Sequence, residues 1–178
     1  MTDDRHAHWE ACYAEAAPTA PEALPFLIAH AQELPAGGRA LDLACGRGGN
    51  ALFLALRGLR TAAWDYAASA VAGLARTATG LPLQAECRDV IAQPPAPESF
   101  DVIVVAHFLH RPLFPFLAAA LRPGGLLFYE TWCGPYAGRG PRNPAFRLAP
   151  GELAGAFPML TLSQIQEDTD RAAALWRR

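Results

Sequence analysis

Residues 41–58 of the chain, LDLACGRGGNALFLALRG, hold the pattern that decides the fold. An apolar run leads into a glycine-rich turn, and the turn opens an apolar segment that ends at Gly58. Gly46 and Gly48 permit a tight turn and let a ligand approach the backbone closely. Free N–H groups at the start of the following helix favour an anionic group. The stretch therefore predicts a strand, a ligand-binding loop and a helix, in that order.

The rest of the sequence continues this alternation of strands and helices. Strand-like apolar runs occupy residues 39–44, 60–65, 83–89, 100–106 and 126–132. Helical segments separate most of these runs, and an N-terminal helix is predicted over about 5–33. Residues 159–167 and 171–178 predict a closing hairpin. The pattern is typical of a doubly wound α/β domain with a mostly parallel sheet, and 178 residues suit a single domain.

Composition narrows the classes of function. The net charge is −2, so there is no basic field to hold a nucleic acid backbone. The polar N-terminus, MTDDRHAHWE, does not resemble a signal peptide, and no apolar run reaches the length of about 20 residues that spans a membrane. The 4 cysteines are far apart, as expected for free thiols. We expect a cytoplasmic monomer or homodimer that acts on a small molecule, with no membrane or nucleic-acid partner and no metal.

Two carboxylates extend the ligand-binding pattern. Asp65 ends the second strand-like run, 19 residues after Gly46, and can accept hydrogen bonds from both ribose hydroxyls of an adenosine cofactor. Asp89, in the CRDV sequence at 87–90, ends the third run, where it can meet an adenine amino group. Ligands of such sheets bind at the carboxyl ends of the strands. The three features together predict an adenosine-containing cofactor.

The identity of that cofactor has two interpretations. Residues 46–51 also fit the pattern G-x-G-x-x-A, so an oxidoreductase that uses NAD or FAD is an alternative. Asp42 argues against it, because a dinucleotide fold normally places an apolar residue at this position of the first strand. Asp89 is a second argument against it. The residues favour S-adenosylmethionine over a dinucleotide.

The same segments carry a resemblance to a known family. LDLACGRGGNALFLALRG, TAAWD, CRDV, FDVIVVAHFLHR and LRPGGLLFYET, in this order, resemble the class I S-adenosylmethionine-dependent methyltransferases. The chain is most similar to the small bacterial enzymes related to tellurite-resistance methyltransferases. The resemblance implies a seven-stranded sheet of order 3-2-1-4-5-7-6 with strand 7 antiparallel, which accounts for the closing hairpin.

The resemblance also implies roles for individual residues. The backbone of Ala44, Gly46 and Gly48 would face the methionine part of the cofactor. The other cofactor-binding positions are Asp42, Arg47 and Asn50 in and around the loop, Asp65 for the ribose, Tyr66, Asp89 and Val90 for the adenine, and Ala106 and His107 after the fourth strand. Two positions depart from the family pattern. Ala44 stands where Gly is more common, and Gly49 stands where related enzymes often carry Arg, which makes Arg47 a candidate for the methionine carboxylate.

Two candidate catalytic residues are predicted to contact the methyl acceptor. His107 is placed to act as a base or as a substrate contact, and the alternative is that it only packs beside the cofactor. Arg142 belongs to a Gly-, Pro- and Arg-rich segment, residues 133–148, that is predicted to form a substrate cap loop. With Tyr136 it would suit a small anionic or polar acceptor. We therefore predict methyl transfer to a thiol, a chalcogen oxyanion or another compact polar metabolite. A non-catalytic protein that binds S-adenosylmethionine is the second possibility.

Overall fold

The computed structural model describes Glu10 and residues 21–178. Most of the N-terminal half of the predicted helix over 5–33 lies outside these described residues. Within them the prediction was too long, because helix α1 spans only Pro25–Ala29 and a 3-10 turn follows at Ala31–Glu33. Leu24 is extended, with ψ 131°. The cause is Pro25, which disfavours helical backbone in the residue before it and begins a helix readily itself.

The remaining elements form the predicted alternation. They are β1 (Arg39–Leu43), α2 (Gly49–Leu56), β2 (Arg60–Asp65), α3 (Ala68–Thr77), β3 (Leu83–Cys87), β4 (Phe100–Ala106), α4 (Phe114–Ala120), β5 (Leu121–Trp132), β6 (Thr161–Glu167) and β7 (Arg171–Arg177). The sheet order is β3-β2-β1-β4-β5-β7-β6, and β7 is antiparallel to both of its neighbours. The predicted fold class and strand order are confirmed. By its contacts the chain divides into two compact units, one ending at Gln93 and the other covering Pro94–Arg178. A single domain stays a prediction.

The first unit contains the parallel strands β1, β2 and β3. Ala40, Leu41 and Leu43 of β1 are fully buried, as expected for a strand covered on both faces. The register pairs Leu43 with Trp64. It also pairs Asp65 with Cys87, so the three strands end side by side. The carboxyl ends that carry the predicted cofactor ligands therefore meet at one edge of the sheet.

The second unit is built around β4, β5 and the hairpin of β6 and β7. The apolar run of β4 is buried from Val102 to Val105. Strand β5 begins at Leu121, earlier than the predicted start at residue 126, because Leu121 pairs with Phe100 before a register shift. Between β5 and β6, residues Glu152–Gly155 form a 3-10 turn.

The helices of the described part of the chain are short. The longest, α3, has 10 residues, whereas a membrane span needs about 20. Accordingly, none of the described helices could cross a bilayer.

Candidate functional site

The glycine loop follows β1 and adopts a sharply turned backbone. Ala44, Gly46 and Gly48 have φ angles of 56°, 52° and 79°, all in the left-handed region. A Cβ atom on Gly48 would lie 2.4 Å from both terminal carbons of Leu74, so the loop packs directly on α3. Ala44 accepts a conformation that costs a residue other than Gly roughly 1–2 kcal/mol. The turn that the sequence predicted is present, and it contains local strain at Ala44.

Asp42 lies beneath this loop and is fully buried. Its Oδ2 atom accepts a hydrogen bond of 2.9 Å from the backbone N–H of Ala51. Its Oδ1 atom is buried without a hydrogen-bond partner among the described residues. Burial raises the pKa of Asp42 to about 7, although the Ala51 N–H and the Asn50 side chain oppose this shift. An unpartnered carboxylate oxygen under a ligand-binding loop suits a cationic group, such as the ammonium of a methionine moiety.

Asp65 joins the end of β2 to the glycine loop. Its Oδ2 atom accepts a hydrogen bond of 2.7 Å from Gly46, and its Oδ1 atom accepts one of 2.9 Å from Ala67. Burial raises the pKa of Asp65, while these backbone N–H groups lower it. Each carboxylate oxygen has a second lone pair, so ribose hydroxyls can still donate to it. Glu10 lies nearby and accepts from Ser69 N–H at 3.2 Å at the start of α3.

The residues predicted to contact the adenine lie at the turn after β3. Oδ1 of Asp89 accepts from the backbone of Ile91 at 2.9 Å and of Ala92 at 3.3 Å, which shapes this turn. Val90 is buried and Tyr66 is half-buried, directly after Asp65. These residues lie at neighbouring strand ends, as predicted.

Cys45 is not suited to act as a nucleophile. Burial, followed by the charges of Asp42 and Asp65, raises the pKa of its thiol well above the ordinary value. The thiol is therefore neutral at physiological pH.

Gly49 has a structural role that the sequence did not reveal. A Cβ atom at this position would lie 2.1 Å from the backbone carbonyl oxygen of Glu22. Beside this contact, the Leu24 N–H donates a hydrogen bond of 2.9 Å to Oδ1 of Asn50. The segment 22–24 thus lies directly on the start of α2, where any side chain at Gly49 would displace it. Asn50 was predicted as a cofactor ligand, and its carbonyl oxygen already has this partner within the chain.

In the second unit, His107 follows β4 with a left-handed backbone. Its φ angle is 56°, and its backbone N–H donates to the carbonyl of Glu130 at 2.8 Å. The imidazole Nε2 hydrogen-bonds with Nη1 of Arg171 and lies 3.8 Å from a carboxylate oxygen of Glu130. Burial, followed by the charge of Arg171, lowers the pKa of His107 to about 4. His107 is therefore a neutral imidazole at physiological pH, next to the half-buried Ala106.

Arg171 and its partners form a cluster that sequence reasoning missed. Its Nη1 atom donates to Glu130 at 2.9 Å, and the guanidinium lies 3.8 Å from the ring centre of Trp132. Burial raises the pKa of Glu130, and the charge of Arg171 lowers it. These residues come from the end of β5 and the start of β7, which are adjacent in the sheet. The sequence carries no local signal for this contact, because His107 and Arg171 are 64 positions apart.

The predicted cap loop, residues 133–148, is organised around Arg147. This side chain is 3% exposed. It donates hydrogen bonds to four backbone carbonyls, those of Cys133 (2.7 Å), Gly134 (2.7 Å), Arg139 (3.1 Å) and Pro141 (3.4 Å). Arg142 is exposed, and its guanidinium lies 5.6 Å from the ring centre of Tyr136. The two residues predicted to contact the acceptor are therefore neighbours, while the buried Arg147 holds the loop.

Comparison with known proteins finds a matching domain and several similar folds. Residues 40–125 match the family model described as a methyltransferase domain. The fold is similar to that of TehB from Haemophilus influenzae, with a TM-score of 0.78, 20% identity, and coverage of 96% of this chain and 67% of that one. It is also similar to a SAM-dependent methyltransferase from Aquifex aeolicus, with a TM-score of 0.74, 15% identity, and coverage of 94% and 97%.

One curated relative shares part of the sequence. Hemagglutinin 1 of Eikenella corrodens is 40% identical over 96 residues, which are 49% of this chain. The match spans only 32% of the length of that relative. Residues 40–125 match a methyltransferase domain, and the strand order is the one predicted for the class I S-adenosylmethionine-dependent methyltransferases.

Proposed function

We propose that the chain transfers a methyl group from S-adenosylmethionine to a small-molecule acceptor. The observation that carries the proposal is Asp42, whose buried Oδ1 atom has no hydrogen-bond partner among Glu10 and residues 21–178. When bound, the cofactor supplies a methyl group whose bond to the sulfonium sulfur breaks, with its electrons retained by sulfur, as a lone pair of the acceptor forms the new bond.

In this proposal the first unit holds the cofactor. The backbone of Ala44, Gly46 and Gly48 surrounds the methionine moiety, and Asp42 attracts its ammonium. Further contacts come from Arg47 toward the methionine carboxylate, Asp65 toward the ribose, and Tyr66, Asp89 and Val90 toward the adenine. Asn50 supports the loop through its contact with segment 22–24, so we propose an indirect role for it.

The second unit supplies the acceptor contacts in this proposal. His107 presents a neutral ring, and Arg142 with Tyr136 offers a cation and an aromatic face. Such a set favours a compact acceptor with an anionic or polar head, such as a thiol or a chalcogen oxyanion. The resemblance to tellurite-resistance-related enzymes and the similarity to TehB support the same class of acceptor.

Calorimetry tests the cofactor assignment. We expect micromolar binding of S-adenosylhomocysteine and no comparable binding of NAD. Asp42→Asn should weaken binding at least tenfold, because it removes the charge that attracts the ammonium. Glu86→Gln is the matched control, since Glu86 is an exposed carboxylate paired with Arg88 and should leave affinity unchanged. Equal affinity of the parent and the Asp42 variant would contradict the assignment.

A turnover screen separates the enzyme from a non-catalytic binding protein. Labelled S-adenosylmethionine would be offered with small thiols, selenite, tellurite and carboxylates. Transfer of label to one of them supports the proposal. Tight cofactor binding with no transfer to any acceptor class would favour the binding protein instead.

A further inference from the structure

We propose that Arg171 is a positioning residue that holds His107 as its neutral Nδ1–H tautomer, so that His107 donates a hydrogen bond to the acceptor and does not act as a base. The inference rests on the proposed methyl transfer for its link to the acceptor. The tautomer itself can be tested without turnover.

The tautomer follows from the donor inventory of the two side chains. A guanidinium has five N–H donors and no acceptor, so any hydrogen bond between Arg171 and His107 requires a lone pair on the imidazole nitrogen. That nitrogen is Nε2. The proton of a neutral ring must then be on Nδ1. Nη1 of Arg171 carries two hydrogens, which allows it to donate to Nε2 and to the carboxylate of Glu130 at once.

Arg171 is held in place from several sides. Its guanidinium stacks on Trp132 at 3.8 Å, and Glu130, which is 9% exposed, balances its charge. Its backbone N–H donates to the Asp168 carboxylate at 3.1 Å, at the turn that begins β7. A planar cation fixed by stacking and an ion pair loses little further freedom when it hydrogen-bonds to His107.

The charged groups around His107 act on the pKa of its imidazole in opposite directions. Within Pro94–Arg178 these are Glu130 on β5 and Arg171 on β7; the third neighbour, Trp132, carries no charge. Glu130 alone would favour a protonated ring. It is closer to Arg171, at 2.9 Å, than to the imidazole, at 3.8 Å. The net effect of burial and of Arg171 is the lowered pKa of His107, so the neutral form prevails.

This arrangement narrows the class of acceptor. The basic lone pair of His107 is occupied by Arg171, whereas Nδ1 carries a hydrogen-bond donor, and the residue as a whole is exposed. A neutral alcohol or amine would find no free lone pair on His107 to take its proton. A thiol, carboxylic acid or oxyacid loses its proton to water beforehand and then presents an anion to the Nδ1–H group. The structure therefore favours acceptors that ionise by themselves near neutral pH.

Nitrogen NMR of the imidazole tests the tautomer in the free protein. The His107 signals, identified by their loss in His107→Asn, should show a protonated Nδ1, an unprotonated Nε2 and no titration above about pH 5. Arg171→Met should move the population toward Nε2–H and raise the titration midpoint toward 6.5. Arg177→Met is the matched control, because this arginine lies at the far end of β7 and bonds the Gly124 carbonyl. A protonated Nε2 in the parent protein would overturn the proposal.

A second variant protects the test against misfolding. Glu130→Gln keeps the shape of the side chain and leaves Arg171 in place. It should retain the Nδ1–H tautomer and shift the His107 midpoint further down. Loss of the Nδ1–H tautomer in this variant would show that Glu130, and not Arg171, sets the proton position.

Kinetics connect the tautomer to the acceptor. The pH dependence of kcat/KM should be measured for a series of thiophenols of graded acidity. For each thiophenol kcat/KM should rise with pH at the pKa of that thiophenol, and no rise should occur at one pH for the whole series. Arg171→Met should lower kcat/KM about tenfold, as for a loss of 1.4 kcal/mol. It should also add a pH-dependent rise in kcat/KM that all thiophenols share, at the raised titration midpoint of His107. If the parent protein already shows a rise of kcat/KM at one pH for all thiophenols, the role of His107 as a hydrogen-bond donor is refuted. If no thiophenol is methylated, the acceptor class proposed here is wrong, while the NMR result still decides the tautomer.

Discussion

Gly49→Ala is a sensitive test of how segment 22–24 supports the glycine loop. Gly49 is the first residue of α2, where Ala would normally favour the helix by up to about 1 kcal/mol. The added Cβ atom would instead lie 2.1 Å from the carbonyl oxygen of Glu22, and backbone cannot rotate aside as a side chain can. Overpacking of this kind costs about 1–3 kcal/mol, and loss of the buried Leu24–Asn50 hydrogen bond costs about 1 kcal/mol more.

The expected net loss of stability is therefore about 1–3 kcal/mol. For a chain of 178 residues this corresponds to a fall in Tm of roughly 3–10 °C. Calorimetric titration with S-adenosylhomocysteine should also show weaker binding, since the clash moves the loop that holds the methionine moiety. Urea denaturation, with an unchanged m-value, would show that the effect lies in the native packing.

Gly37→Ala is the control for this substitution. A Cβ atom there would have nothing within 4 Å, and the backbone does not require glycine. It should leave stability unchanged or slightly increased. If Gly49→Ala melts at the same temperature as Gly37→Ala and binds the cofactor product equally well, the contact with Glu22 is not a constraint on the loop.

Three further outcomes are expected. Affinity for S-adenosylhomocysteine, measured by calorimetry, should rise as the pH increases toward about 7, because the ionised form of Asp42 attracts the ammonium. The raised pKa also means that the free protein loses stability between about pH 4 and about pH 7, with no further loss from Asp42 above that, and Asp42→Asn should remove both trends. Asp65→Ala should weaken the same binding by about 1.5–3 kcal/mol, because it removes hydrogen bonds of a carboxylate, and unchanged affinity would contradict its ribose role. Arg147→Met should speed limited proteolysis within residues 133–148, because four carbonyls lose their donor, whereas Arg142→Ala should leave cleavage unchanged and lower only turnover.

Sequence reasoning was most successful where local pattern determines structure. The apolar run over 100–106 predicted β4 with its observed bounds, and the polar Asp65 marked the end of β2. The unusual aspartate within the first strand, Asp42, identified a position that is fully buried with an unpartnered oxygen. In each case the information lies within a few neighbouring residues.

The sequence was least informative where distant residues meet. The contact of Arg171 with His107 and that of Gly49 with Glu22 depend on the assembled sheet, and no spacing rule indicates them. Arg147 and Arg142 have the same side chain in the same loop, so composition could not distinguish the buried residue from the exposed one. The overlong first helix had a simpler cause, since apolar spacing was given more weight than Pro25.

The way in which Arg147 holds its loop has a consequence for how this protein can change. All four of its acceptors in the loop are main-chain carbonyl oxygens, which every amino acid provides. The side chains of the same loop can therefore be exchanged while its path is preserved. Under the proposal that Arg142 and Tyr136 contact the acceptor, acceptor preference and loop architecture are determined by different atoms, so new specificities can be selected by mutation without rebuilding the fold. A library that varies the loop but retains Arg147 would exploit this separation.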